Sequence, residues 1–298
     1  MPNAFSTALS RRLGLTYPIV AAPMFLISNK EMIVAAAEAG ILGAMPSLNA
    51  RTGEKLTEDL TWIRQKTDKP IAINVTIGLT ERDRLMHDVE TCFAHGVDVL
   101  ITSYGDPTAI VKEAHARKVA VLHDVIHLKH AKKAESAGVD AIIGVAAGAG
   151  GHAGTISPFA LFPYLRENLS VPVVAAGCIS TGKQVLASLS LGAELCYVGT
   201  RFIASTECGA DARYKQMVVD AGPEDIVYTD KVSGVHASFL KATVPDDQTP
   251  EGGPSGAKRW RDVWSAGHGV AEIHDVKPMG AIVEQLVREY HDAKAALP

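Results

Sequence analysis

The chain has 298 residues, 47% of them apolar and 21% charged. A total of 29 Lys and Arg against 33 Asp and Glu gives a formal net charge of −4, which removes the electrostatic reason to expect nucleic acid or an anionic membrane as a partner. Four cysteines without CxxC spacing argue against a disulfide scaffold or a structural zinc site, no apolar run reaches spanning length, and the expectation is a folded cytoplasmic protein that holds no metal.

Short runs rich in Val, Ile and Ala recur along the chain. They begin near Pro18, Ile41, Pro70, Val97, Val119, Val139, Val171 and Ala193, at intervals of 20 to 32 residues with a mean of 25. Each run is apolar at consecutive positions, the pattern of a parallel strand covered on both faces. Between them lie helical patterns such as KEMIVAAAEAG (30–40), with Met32, Ile33, Ala36 and Ala37 on one face and a glycine at the end. Eight such units predict an α/β fold, the (β/α)8 TIM barrel. A doubly wound open sheet is disfavoured because the first turn reads AAPMFLIS, without GxGxxG.

The barrel is expected to take residues 1–221 and 270–298. Residues 222–269, with the stretch PDDQTPEGGPSG, read as a loop or lid excursion over the barrel mouth, within one domain overall. The last segment reads as a closing amphipathic helix with Ile282, Leu286 and Tyr290 inward.

Chemistry in such barrels collects where strands end. Gly177-Cys178 and Gly199-Thr200 follow the seventh and eighth runs, the usual phosphate position, and small residues there let backbone N–H groups approach an anion. Asn74 ends an otherwise apolar strand; its amide either caps the next helix or hydrogen-bonds a ring with donor and acceptor edges. Pro23 and Met24 lie where a flat ligand can rest, although a core Met explains the latter as well. Around His152, glycines stand at 148, 150, 151 and 154, as suits backbone passing close to a ligand while one imidazole serves as acid or base. His123 and Asp124 also end a strand, so either can face the site. Trp264 and Ser265 either return the chain to the mouth, as substrate or lid residues, or anchor the C-terminal segment.

The pieces PIVAAPM, PIAINV, AGVDAII with GAGGHAG, VPVVAAGCIS, LGAELCYVGTRF and WSAGHG together resemble the nitronate monooxygenase family, formerly the 2-nitropropane dioxygenases. The resemblance implies an FMN-binding barrel that oxidises alkyl nitronates, and nitroalkanes after proton loss, with O2 to a carbonyl compound and nitrite. It places the isoalloxazine ring against Ala22, Pro23 and Met24, its polar edge at Asn74, and the phosphate at Gly177, Cys178, Gly199 and Thr200. His123 and Gly151 join this cofactor set, and His152 is the active-site histidine. Two positions depart from the family pattern, Val145 and Gly148 standing where relatives often carry Gln and Glu. The same barrel is similar to NAD(P)H-dependent quinone and enoyl-thioester reductases. A flavin carrier without catalysis is the third reading. The partners implied are a small nitronate and O2, without nucleic acid or membrane; pairing of exposed barrel helices into a homodimer stays open.

Overall fold

The eight apolar runs become eight parallel strands in the computed structural model, which describes residues 5–232, 234–245 and 262–297. They are β1 (Ile19–Ala21), β2 (Leu42–Pro46), β3 (Ile71–Thr76), β4 (Val99–Ser103), β5 (Ala120–Val125), β6 (Ala141–Val145), β8 (Val173–Ala176) and β9 (Leu195–Val198). A short strand outside the barrel, β7 (Gly151–His152), falls between β6 and β8 in the chain. The barrel order is β1-β2-β3-β4-β5-β6-β8-β9, and β9 pairs with β1 to close it. The chain therefore has the predicted TIM barrel fold.

Period-two alternation gives each strand a lumen face and a helix face. Val20, Leu42, Ala72, Ile101, Leu122 and Ile143 pack together in the lumen. Their neighbours Ile19, Ile73, Leu100, Val121 and Ile142 pack against the helices. Below the lumen, α1 (Ala8–Arg12) adds Leu9 to the inner cluster. It is pinned there by Glu194, whose carboxylate accepts from the Leu9 N–H at 2.7 Å. No described helix is long and apolar enough to cross a membrane.

The closing helix (Met279–Ala295) buries Ile282, Leu286 and Tyr290, the predicted inward set. It lies against the helix Gly182–Ser190, where the Gly182 N–H donates to Glu289 Oε2 at 2.8 Å.

Residues 222–269 carry more regular structure than a loop reading allows. Two strands, β10 (Ile226–Thr229) and β11 (Ala237–Leu240), pair antiparallel, and β11 also pairs with β7. The Gly- and Pro-rich neighbourhood hid these two short strands. Of the stretch PDDQTPEGGPSG, everything from residue 246 lies outside the described residues.

A Cβ at Gly182 would sit inside the backbone of the closing helix, against the Leu286 carbonyl oxygen and the Tyr290 backbone nitrogen. Helix backbone cannot rotate away as a side chain can. Gly182→Ala should therefore lower stability by roughly 2 kcal/mol or more, measured as a shift in urea midpoint. An unchanged midpoint would mean the two helices are not in backbone contact.

Candidate active site at the barrel mouth

The loops that leave the strand C-termini converge on one end of the barrel. Backbone strain collects there too. Leu26, Arg51, Tyr104 and Cys178, which follow β1, β2, β4 and β8, hold φ of 68°, 58°, 55° and 58°. Non-glycine residues adopt such angles only where the surroundings impose them, commonly at ligand sites.

The loop after β1 carries Ala22, Pro23 and Met24. Ala22 N–H donates to Val198 O of the last strand at 2.9 Å. Asn49 clamps the loop, its amide donating to Met24 O at 3.0 Å and Ser28 O at 2.8 Å while its Oδ1 accepts from Leu26 N–H at 2.8 Å. A Cβ on Gly199 would meet Ala22 Cβ at 3.8 Å and Met24 Sδ at 3.9 Å, so the first and last strands bring these residues side by side.

Gly177 has φ 117° and Cys178 follows it in the left-handed region. The Cys178 thiol donates to Ala147 O at 3.5 Å, and burial pushes its pKa up. Among the described residues, no backbone N–H of Gly177, Cys178, Gly199 or Thr200 donates to a carbonyl outside regular ladders. Thr200 Oγ1 accepts from Gly267 N–H at 3.0 Å. The Arg of the GTRF motif turns elsewhere: Arg201 is buried against Asp275, Nη2 to Oδ1 at 2.9 Å.

Asn74 faces the lumen, and its amide donates to Ile101 O at 3.0 Å and lies 3.4 Å from Ser103 Oγ. It caps no helix. Its Oδ1 accepts from the Thr76 hydroxyl at 3.5 Å, and keeps acceptor capacity toward the mouth.

His152 is half-buried on β7, where Ala237 pairs with it and Ser238 pairs with Gly151. Burial lowers its pKa, so the imidazole is neutral at pH 7. Tyr104 lies edge-on to it, ring centroids 5.5 Å apart at 78°. The glycines around it have a reason that the sequence did not show. A Cβ at Gly150 would come within 2.9 Å of Gly267 N and 3.0 Å of Ala266 C. At Gly148 it would collide with Cys178 Sγ and reach His268 Nδ1 at 2.9 Å. These two glycines accommodate the protein's own returning chain. Gly151, with φ 70°, has nothing within 4 Å of its would-be Cβ and borders open space beside the imidazole.

Three expected residues stand apart from this group. His123 shares strand parity with Val121 and Val125 and so faces the helices, leaving the lumen to Asp124. Thr102 has one hydroxyl proton, which it donates to Leu122 O at 3.1 Å; it therefore accepts from His123 Nδ1–H at 2.8 Å. Trp264 stacks on Tyr214, centroids 4.8 Å apart at 10°, and accepts at its carbonyl from Leu240 N–H. Ser265 bridges Phe239, and its carbonyl accepts from Tyr214 Oη. Trp264 and Ser265 are anchors of the returning chain.

Sequence reasoning missed Tyr104, Tyr197, Asn49 and His268. The first two end strands in the runs VDVLITSYG and AELCYVGTRF, and that position was the available signal.

Residues 6–249 match the family model described as nitronate monooxygenase. A probable nitronate monooxygenase from Staphylococcus saprophyticus is 25% identical, over 87% of this chain and 91% of that protein. An octahydro-indene-carboxyl-CoA dehydrogenase from Rhodococcus jostii is 28% identical, over 78% of this chain and 65% of that protein. Among solved structures, FabK from Thermotoga maritima superposes with a TM-score of 0.86 at 27% identity, covering 97% of each chain.

The outward His123 makes a stability prediction. Desolvation, helped by the neighbouring His130, lowers its pKa from 6.5 to about 4 against an opposing pull from Asp106. The unfolded chain then binds more protons between those values, so stability is full above pH 6.5 and falls as pH drops toward 4. The loss amounts to about 3 kcal/mol. His123→Asn should flatten that limb of a urea-midpoint profile; an unaltered limb would place the titration elsewhere.

Proposed function

The chain belongs to the nitronate monooxygenase family and is a flavin oxidoreductase, and from that premise we propose that it oxidises alkyl nitronates with O2 at an FMN held across the barrel mouth. The products are a carbonyl compound and nitrite. The observation that carries this reading is the meeting, at one mouth, of a neutral imidazole and a backbone cradle suited to a single phosphate.

The cradle fits the phosphate of a mononucleotide. The N–H groups of Gly177, Cys178, Gly199 and Thr200 would hold it, since backbone amides bind phosphate where side chains stay out of the way. Ala22, Pro23 and Met24 would support the ring, with the polarizable Met24 sulfur beside it. Asn74 Oδ1 would accept from a ring N–H. The bound flavin supplies the electron transfer between substrate and O2.

The chain's own part is position and proton handling. His152 is kept neutral by burial, so one ring nitrogen accepts a proton and the other donates a hydrogen bond. Facing a nitronate, the N–H would orient an oxygen. Facing a neutral nitroalkane, the bare nitrogen would remove the α-proton. The ring of Tyr104 lies edge-on beside the imidazole. The β7–β11 pairing fixes its height above the lumen.

A second reading keeps the barrel and changes the electron donor. Val145 and Gly148 place neither amide nor carboxylate near the ring, and one relative is named a dehydrogenase. An NAD(P)H-dependent reductase follows from that reading.

Purified protein should be yellow and release FMN. His152→Asn should stay folded and yellow and lose about 10²-fold or more in kcat/KM on neutral nitroalkanes, with a smaller loss on nitronates. Rapid anaerobic bleaching by NADH, without reaction with nitronates, would replace this reading by the reductase.

A further inference from the structure

Asp124 is a half-buried acid for which the reaction above has no use. It follows Leu122 in strand parity, so its side chain turns into the lumen at the mouth end of β5. Its Oδ1 is fully buried, and no described residue gives it a hydrogen bond. The Tyr197 hydroxyl, on the lumen face of β9, is in the same condition. Two orphaned polar atoms therefore lie inside one barrel. Orphans of this kind are uncommon and concentrate where a ligand, water or proton-transfer role completes them.

The surroundings make the carboxyl sensitive to charge above it. No Lys or Arg occupies a lumen-facing position of the eight strands. The ionisable groups facing Asp124 are two phenols, Tyr104 from the end of β4 and Tyr197 from β9. Both are raised by burial first and by the Asp124 charge second. Other polar residues on the lumen face, Asn74 and Thr76 of β3 and Ser103 of β4, carry no charge. Across the mouth, His152 is neutral. Burial alone, with no cation to oppose it, moves the Asp124 pKa from 3.8 to about 7.

We propose that Asp124 is the proton store of the site: it takes up a proton when electrons enter the flavin above it and releases that proton when they leave. The proposal rests on the flavin lying over the mouth. In the balanced reduction of the ring by a two-electron donor such as dithionite, the electron pair and one proton from solvent join the ring, leaving one net negative charge there. That charge lies over a lumen without a compensating cation, so it raises the proton affinity of the carboxylate below. A second solvent proton then forms an O–H bond on Asp124. The pair together takes up two electrons and two protons, and the lumen is spared two facing negative charges. Reoxidation by O2 carries away the electron pair and two protons, one from the ring and one from Asp124, as H2O2, and leaves the carboxylate as it began. Asp124 acts through the charge of the ring and is a positioning residue for a proton.

The test is potentiometry of the flavin-loaded protein across pH. In the wild type, the midpoint potential should fall about twice as steeply with pH above pH 7 as it does in Asp124→Asn, because one further proton accompanies each electron pair. Asp124→Ser should behave as Asn does, and Asp124→Glu should restore the steeper slope. At alkaline pH the Asn variant should hold the higher potential, since it lacks the carboxylate. Parallel profiles for wild type and the Asn variant overturn the proposal, as does a steep limb that survives in both replacements. A purified wild type that binds no flavin, read from its visible spectrum beforehand, overturns the placement of the cofactor and this proposal with it. A flavin-bound protein with parallel profiles overturns only the role of Asp124.

Discussion

Two stretches of backbone, 148–151 and 266–268, approach more closely than any side chain would allow, and the mouth depends on that contact. Gly267 has no room for a Cβ because Gly148 O and Gly150 N occupy it. His268 N–H donates to Gly148 O at 2.9 Å, and Thr200 reaches Gly267 from the last strand. The loop that bears the imidazole, the loop after β8 and the returning chain are thereby fixed to one another. Gly148 is in contact with both Cys178 and His268. A wider side chain at any of these glycines would open all three loops at once. The β7–β11 ladder extends the same restraint to His152 itself.

Electrostatics at this mouth is arranged by omission. The lumen face offers no cation, and burial keeps His152 uncharged. An anion bound here would be met by backbone N–H groups and neutral donors, which act strongly where water is excluded. Arg201 pairs with Asp275 behind the last strand, and further ion pairs lie at the far end. Arg12 and His115 share Asp140, and Arg64 meets Asp98, at the opposite end of the barrel. In barrels of this kind that end serves stability, and chemistry belongs to the mouth.

The barrel was legible because parallel strands covered on both faces must be apolar at every position, and eight such runs leave few alternatives. The closing helix was legible for the related reason that its inward stripe is periodic. The residues proposed for the site were legible in part. Strand ends pointed to Asn74, Gly177, Gly199 and His152. They did not decide between His123 and Asp124, because a run apolar at every position carries no parity: only the packing of Leu122 inside the barrel shows that Asp124 faces inward. The glycines at 148 and 150 suit a nearby ligand in sequence, but in the fold they make room for a contact with Ala266, Gly267 and His268, far along the chain, that no local pattern encodes. Trp264 stacks on Tyr214 for the same long-range reason. Strands β10 and β11 are four residues each, too short for alternation to stand out from a Gly- and Pro-rich setting.

The central claim is that the mouth of a closed barrel holds a flavin by backbone and presents one neutral imidazole to whatever lies on it. A crystal structure with FMN tests it most directly. The account predicts the phosphate against the N–H groups of Gly177, Cys178, Gly199 and Thr200, with the ring beside Ala22 to Met24 and His152 across from it. A phosphate bound elsewhere, or an imidazole turned away from the ring, would contradict it.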